Sequence, residues 1–238
     1  MRTFRFLTAA GLLGCLLFTT SAEDKKDTKK DQEAAKKALA EVGDFVGQWN
    51  ASGEIADGKK AIFKEVLEIG WKFSKEGDAW MTLTVKDGKF FVSGDLKYLV
   101  DKKQYQLTAK DKAGKELVYV GTLAKGKLVL EAKDATSGDV NKLLINTLAD
   151  GARMMVQADV QTKGKGLAST VFKTSATKEG ESFAGGGKKN ICCVTGGLGS
   201  IAVSYNGKPY YVCCSGCRDE FNANPKKIVE EFEKNKGK

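Results

Sequence analysis

Five of the six cysteines in this chain stand near its end, as Cys192-Cys193 and Cys213-Cys214-Ser215-Gly216-Cys217, and the chain contains no histidine. The spacing Cys192-x20-Cys213-x3-Cys217 can wrap soft sulfur ligands around one metal ion. Three or four thiolates favour zinc or copper(I) over magnesium or calcium, which take oxygen donors. The missing histidine excludes a Ser-His-Asp triad, a Cys-His nucleophile pair, histidine zinc ligands and proximal-histidine haem binding. Two other uses of the cysteines stay open. Exported proteins oxidise their thiols, so structural disulfides are one, although five is an odd number and leaves one cysteine over. Redox chemistry at Cys214-x2-Cys217 is the other, but no thioredoxin-like βαβ pattern surrounds that spacing.

The elements that must position these sulfurs are readable. Asn206-Gly207 lies between two β-rich runs, Ile201 to Tyr205 and Lys208 to Val212, and signals a tight hairpin. The hairpin brings Cys192 back toward Cys213. A helix is expected from Arg218 to about Ala223. Asn224-Pro225 should break it and start another, with Ile228, Val229 and Phe232 on one apolar face. The first helix start then sets Cys217 beside Cys213, where the positive end of the helix dipole favours a thiolate. Neighbouring residues in extended chain point to opposite sides, so Cys192 and Cys193 reach one ion together only through a local turn. Either Cys193 or Cys214 completes a tetrahedral set, or water or another oxygen ligand takes the fourth position. So short a segment buries little core and needs a metal or disulfides as a staple. Tyr205, Tyr210 and Tyr211 are read mainly as hairpin packing.

The segment resembles the TRASH/YHS family of small metal-binding domains. The matching residues are Cys192-x-Val194-Thr195-Gly196, Tyr205-Asn206-Gly207-Lys208-x-Tyr210-Tyr211-Val212-Cys213, Gly216-Cys217 and Phe221-x-x-Asn224-Pro225-Lys226-Lys227-Ile228. The resemblance implies a treble-clef-like, zinc-finger-like α+β fold and a role in heavy-metal binding, trafficking or sensing. By position it implies Cys192, Cys213 and Cys217 as ligands. Cys193 departs from the family pattern, which often has proline after the first cysteine.

From Val42 to about Thr177 the pattern is mainly β. Met81, Leu83 and Val85 alternate with Thr82 and Thr84. Tyr105, Leu107 and Ala109 form a second such set, Leu128, Leu130 and Ala132 a third, and Met154, Val156, Ala158 and Val160 a fourth. Turn signals separate them: Asp57-Gly58, Asp87-Gly88, Ala113-Gly114, Lys125-Gly126 and Asp150-Gly151. About nine or ten strands are expected, as an antiparallel meander closed into a barrel or folded as a sandwich. Gly47-Gln48-Trp49 resembles the Gly-x-Trp opening of lipocalin-like barrels, which implies that Trp49 plugs one end. A barrel of this kind can hold a small apolar ligand. The carboxylates Glu65, Glu68 and Asp78 form no paired motif and are read as solvated surface.

The N-terminus reads as a leader. Arg2 and Arg5 precede an apolar run from Phe6 to Phe18, and Thr20-Ser21-Ala22 supplies small residues for cleavage near Ala22. Leu12-Leu13-Gly14-Cys15 offers the alternative of lipid anchoring at Cys15. The run is too short for a comfortable membrane span. Export to the periplasm or cell exterior is therefore expected, with no transmembrane segment in the mature chain. The formal charge of +9 falls by two when Arg2 and Arg5 are lost, and the lysines are mixed with acids, which argues against nucleic acid. The expected organisation is a leader over 1–22 and a charged, largely flexible linker over 23–41, with a short helix from Gln32 to Ala40. A β-barrel-like domain over 42–178, a Gly/Lys linker over 179–190 and the metal-binding module over 191–236 follow. The expected function is an exported protein, not an enzyme, that sequesters, buffers or delivers zinc or copper(I), with a metal transporter or another exported protein as partner. The alternative is a lipocalin-like carrier of a small apolar ligand whose cysteine module is only structural.

Overall fold

The computed structural model describes residues 22–56, 61–179 and 190–236. The leader, Cys15, the Asp57-Gly58 turn and the triple glycine at 185–187 lie outside the described residues. Ten antiparallel strands close into a barrel, which decides between the barrel and sandwich expectations. They are β1 (Gly47–Ile55), β2 (Ile62–Phe73), β3 (Ala79–Lys86), β4 (Ser93–Leu99) and β5 (Gln104–Lys110), then β6 (Glu116–Ala124), β7 (Lys127–Lys133), β8 (Val140–Leu148), β9 (Arg153–Gln161) and β10 (Ser169–Lys178). Each strand pairs with the next, and β1 closes against β10 from Trp49↔Lys178 to Ile55↔Phe172. Closure leaves no strand edge along the sheet, apart from overhangs at the rims.

Alternation along the strands fills the interior. Tyr105, Leu107 and Ala109, then Leu128, Leu130 and Ala132, are buried as the pattern requires, together with Met81, Val85, Met154 and Ala158. The turn residues do what their types allow. Lys125-Gly126 joins β6 to β7 with φ of 51° and 73°, a two-residue turn whose twist matches that of the strands.

One end of the barrel is closed by the chain that precedes β1. Helix α1 (Ala22–Ala40) leads into a 3-10 turn at Gly43–Phe45. Leu39, Val42 and Phe45 are buried there, above Trp49, which has no exposed surface. Trp49 Nε1 donates to the Phe45 carbonyl at 2.8 Å. Lys178 Nζ lies 4.8 Å from the Trp49 ring centroid and donates to the Asp44 carbonyl at 2.8 Å. The tryptophan thus seals this end. Helix α1 begins ten residues before the expected Gln32. The physical reason is anchorage. Tyr105 Oη donates to the Ala38 carbonyl and Gln32 Nε2 to the Glu76 carbonyl, so the C-terminal half is held by the barrel. Extension of an existing helix through Lys, Asp and Ala then costs little, because nucleation is the unfavourable step.

The interior keeps a cavity of about 100 Å³, lined by apolar side chains such as Leu67, Met81, Leu130 and Phe172 and by three polar residues, Glu65, Thr82 and Thr174. Phe90 stacks on Phe172 at 4.2 Å, and Phe63 meets both rings edge-on. These rings lie toward the end opposite Trp49. Thr174 Oγ1 is buried with no hydrogen-bond partner among the described residues. Glu65 corrects the surface reading: it shares the inward parity of Leu67 on β2 and is half-buried, whereas Glu68 and Asp78 are exposed.

Burial pushes the Glu65 carboxyl above its ordinary value, against a hydrogen bond from the Lys89 N–H at 3.2 Å. Folding therefore favours the protonated form. That contribution is complete below the ordinary carboxylate range and is lost as pH rises through the raised value. Glu65→Gln is expected to raise Tm slightly at pH 7 and to flatten the dependence of stability on pH above the ordinary carboxylate value, as thermal unfolding across a pH series would show.

Candidate metal centre

The cysteine module is built from backbone turns that aim sulfurs at one point. Ile191 bridges Leu198, and Cys192 bridges Tyr211. Cys192 N–H donates to the Gly197 carbonyl at 2.7 Å, and Gly196 N–H donates to the Cys192 carbonyl at 2.9 Å. Gly196 has a φ of 79°, which glycine adopts without steric cost. This local turn swings Cys192 inward, while Cys193 N–H bonds the Tyr211 carbonyl.

The hairpin follows as expected. Strands β11 (Ile201–Tyr205) and β12 (Lys208–Val212) pair antiparallel through Asn206-Gly207, with φ of 50° and 75°. Helix α2 (Ser215–Ala223) starts three residues earlier than the expected Arg218. Arg218 N–H donates to the Cys214 carbonyl at 3.0 Å, so Cys214 is the N-cap and Cys217 sits within the first turn. Pro225 opens α3 (Pro225–Lys236), where a missing N–H costs nothing. Tyr210 packs between Phe221 of α2 and Phe232 of α3, with ring centroids 6.3 Å away in each case.

Cys192, Cys213 and Cys217 converge. Their Sγ atoms all lie within 4.8 Å of one another. Cys213 and Cys217 are 3.4 Å apart. Zinc–sulfur bonds near 2.3 Å put tetrahedral sulfurs roughly 3.8 Å apart, so this donor set can hold a metal ion. None of the five described cysteines is in a disulfide. Cys192 and Cys217 have no exposed surface, and Cys213 is half-buried. The two candidate fourth ligands separate. Cys214 Sγ stands 3.9 Å from Cys213 Sγ. Cys193 is buried in the module core and does not join the three-sulfur group.

Proton sharing sets the charge of the cluster. Cys192 is held far below the ordinary thiol range, at about 2, chiefly because Cys213 and then Cys217 hydrogen-bond to it, with help from Thr195 and the Val194 N–H. Cys214 is held at about 3 by Cys213, by Cys217 and by the N–H groups of Cys217 and Trp71. Cys213 and Cys217 are pushed up as the partners that keep their protons, each first through its bond with Cys192. Thiolate is the form that metals bind.

Sequence reasoning missed one part of the site, because it comes from the barrel. Pairing of β1 with β2 stops at Gly47↔Ile69, whereas β2 runs on to Phe73. Gly70 to Phe73 therefore overhang on the β1 side while β3 covers their other side. Cys214 Sγ accepts the Trp71 N–H at 3.3 Å. Gly216 lies against the Trp71 carbonyl so closely that a Cβ would collide with it. A glycine and a cysteine two residues apart thus dock α2 onto the barrel rim.

No family model and no curated protein matches this chain. Among solved structures, an S-type phycobiliprotein lyase, CPES from Guillardia theta, is similar at a TM-score of 0.37 and 11% identity, over 65% of this chain and 98% of that chain. A likeness this weak carries no argument about ligand or chemistry. The expectation that the chain is not an enzyme is withdrawn: the similar chain is by name a lyase.

Gly216→Ala should force α2 off the rim. The expected loss is about 1–3 kcal/mol in denaturant unfolding, together with faster hydrogen exchange at the Trp71 amide.

Proposed function

We propose that this protein binds one thiophilic metal ion, zinc or copper(I), through Cys192, Cys213 and Cys217, and that it sequesters, buffers or delivers that ion outside the cytoplasm. The observation that carries the reading is the convergence of three separated sulfurs within 4.8 Å. Thiolates at this spacing suit a soft or borderline ion, and the bound metal would staple a module too small to hold itself together. The resemblance of 191–236 to TRASH/YHS domains and the leader-like residues 1–22 support the same reading. A metal transporter or another exported protein would be the recipient.

A second reading concerns the barrel. The unpartnered Thr174 Oγ1 faces an apolar cavity, which favours a small apolar molecule carrying one hydroxyl or carbonyl group. A buried polar atom left unpaired costs about 1–3 kcal/mol, and a ligand group reaching it would recover that.

Reduced protein dialysed against zinc should retain about one equivalent by elemental analysis, and chelation should remove exchange protection from β11 and β12. Cys192→Ser, Cys213→Ser and Cys217→Ser should each lower affinity at least about 100-fold. Dialysed protein without metal, its thiols paired as disulfides, would refute the metal reading. For the barrel, phenol should bind more tightly than benzene by NMR titration of the Leu and Met methyls, and Thr174→Val should erase that preference.

A further inference from the structure

We propose that Cys214 is a transfer ligand, which takes the ion from the three-sulfur site and presents it to an acceptor in the cleft between the module and the barrel rim. The proposal rests on Cys192, Cys213 and Cys217 being the resident ligands. Cys214 stands 3.9 Å from Cys213 Sγ but is not part of the group whose sulfurs are all mutually close. It therefore touches one edge of the site without completing it.

Access points the same way. Cys192 and Cys217 have no exposed surface, whereas Cys213 and Cys214 are half-buried. Both line a cleft of about 400 Å³ with Gln48, Glu68, Glu179 and Ser200. The route from the buried sulfurs to solvent thus passes Cys213 and then Cys214. Glu68 and Glu179 line the same cleft against one cationic residue, Lys178, which leaves a net negative lining suited to a leaving cation. Cys214 is also held in place without a metal, since its Sγ accepts the Trp71 N–H. A preplaced sulfur beside an occupied site lowers the entropic cost of ligand exchange.

The step is a ligand substitution without redox change. A metal–sulfur bond to Cys214 forms, and the bond to Cys192, the deeply buried ligand, breaks. One thiolate ligand replaces another, so the step needs no net change of protonation. An acceptor thiolate, imidazole or carboxylate entering the cleft then displaces Cys217, Cys213 and last Cys214, whose bond to the ion breaks as the acceptor takes it.

Two measurements on the full chain loaded with one equivalent of zinc test this. Stopped-flow transfer to a chromophoric chelator should slow about tenfold or more in Cys214→Ser, while the equilibrium zinc affinity changes less than about threefold. Equal transfer rates would overturn the proposal. So would a Cys214→Ser variant with affinity at least about 100-fold weaker, since Cys214 would then be a resident fourth ligand. The second measurement needs no variant: mass spectrometry after brief maleimide treatment should find Cys214 labelled in the loaded wild type, with Cys192, Cys213 and Cys217 protected. Protection of all four would overturn the transfer role and leave the metal site standing. Wild type that holds no zinc would instead remove the site on which the proposal rests.

Discussion

The N-terminus of α2 meets the overhanging edge of β2, and the arrangement of the site depends on that seam. A strand that outruns its neighbour exposes backbone groups that need partners. Here the Trp71 N–H finds the sulfur of Cys214, and the Trp71 carbonyl faces the bare Cα of Gly216. Because the cap of α2 is pinned to the barrel, Cys217 in its first turn and Cys213 just before it hold a fixed relation to the barrel rim. The barrel is in this sense a wall of the cysteine site.

The same end of the barrel gathers the other organising contacts. Trp49 seals the interior beneath Phe45, and Lys178 braces the tryptophan from β10 while bonding the Asp44 carbonyl. Helix α1 is secured there by Tyr105 and Gln32. The aromatic rings of Phe63, Phe90 and Phe172 stand toward the other end, beside Glu65 and Thr174. The cysteine cluster thus stands outside the sealed end and the apolar cavity lies inside the barrel, with β2 contributing residues to both.

Much of this was legible in the sequence because it is encoded locally. Period-two alternation in Tyr105-Leu107-Ala109 and Leu128-Leu130-Ala132 marks strands buried on one face, and Asn206-Gly207 and Lys125-Gly126 mark turns that require positive φ. The nearness of Cys192, Cys213 and Cys217 followed from a hairpin and a helix start within one short segment. The length of α1 was not legible. Its first residues are too polar to bury anything, and the helix is held further along by contacts with Tyr105 and Glu76, 67 and 44 positions away in the chain. Glu65 was misjudged for a related reason: a lone acid in an alternating strand reads as outward until the register shows which parity faces in.

The sequence by itself determined the element types, the turn chemistry and the set of sulfurs that meet, since each depends on steric and hydrogen-bonding preferences within a few tens of residues. Tertiary structure alone decided that the sheet closes, that Cys193 stays out of the three-sulfur group while Cys214 stands beside it, and that the module rests on β2. Those outcomes hinge on which residues lie opposite one another across the barrel, a relation between distant segments that arises only when their edges and cavities are brought together.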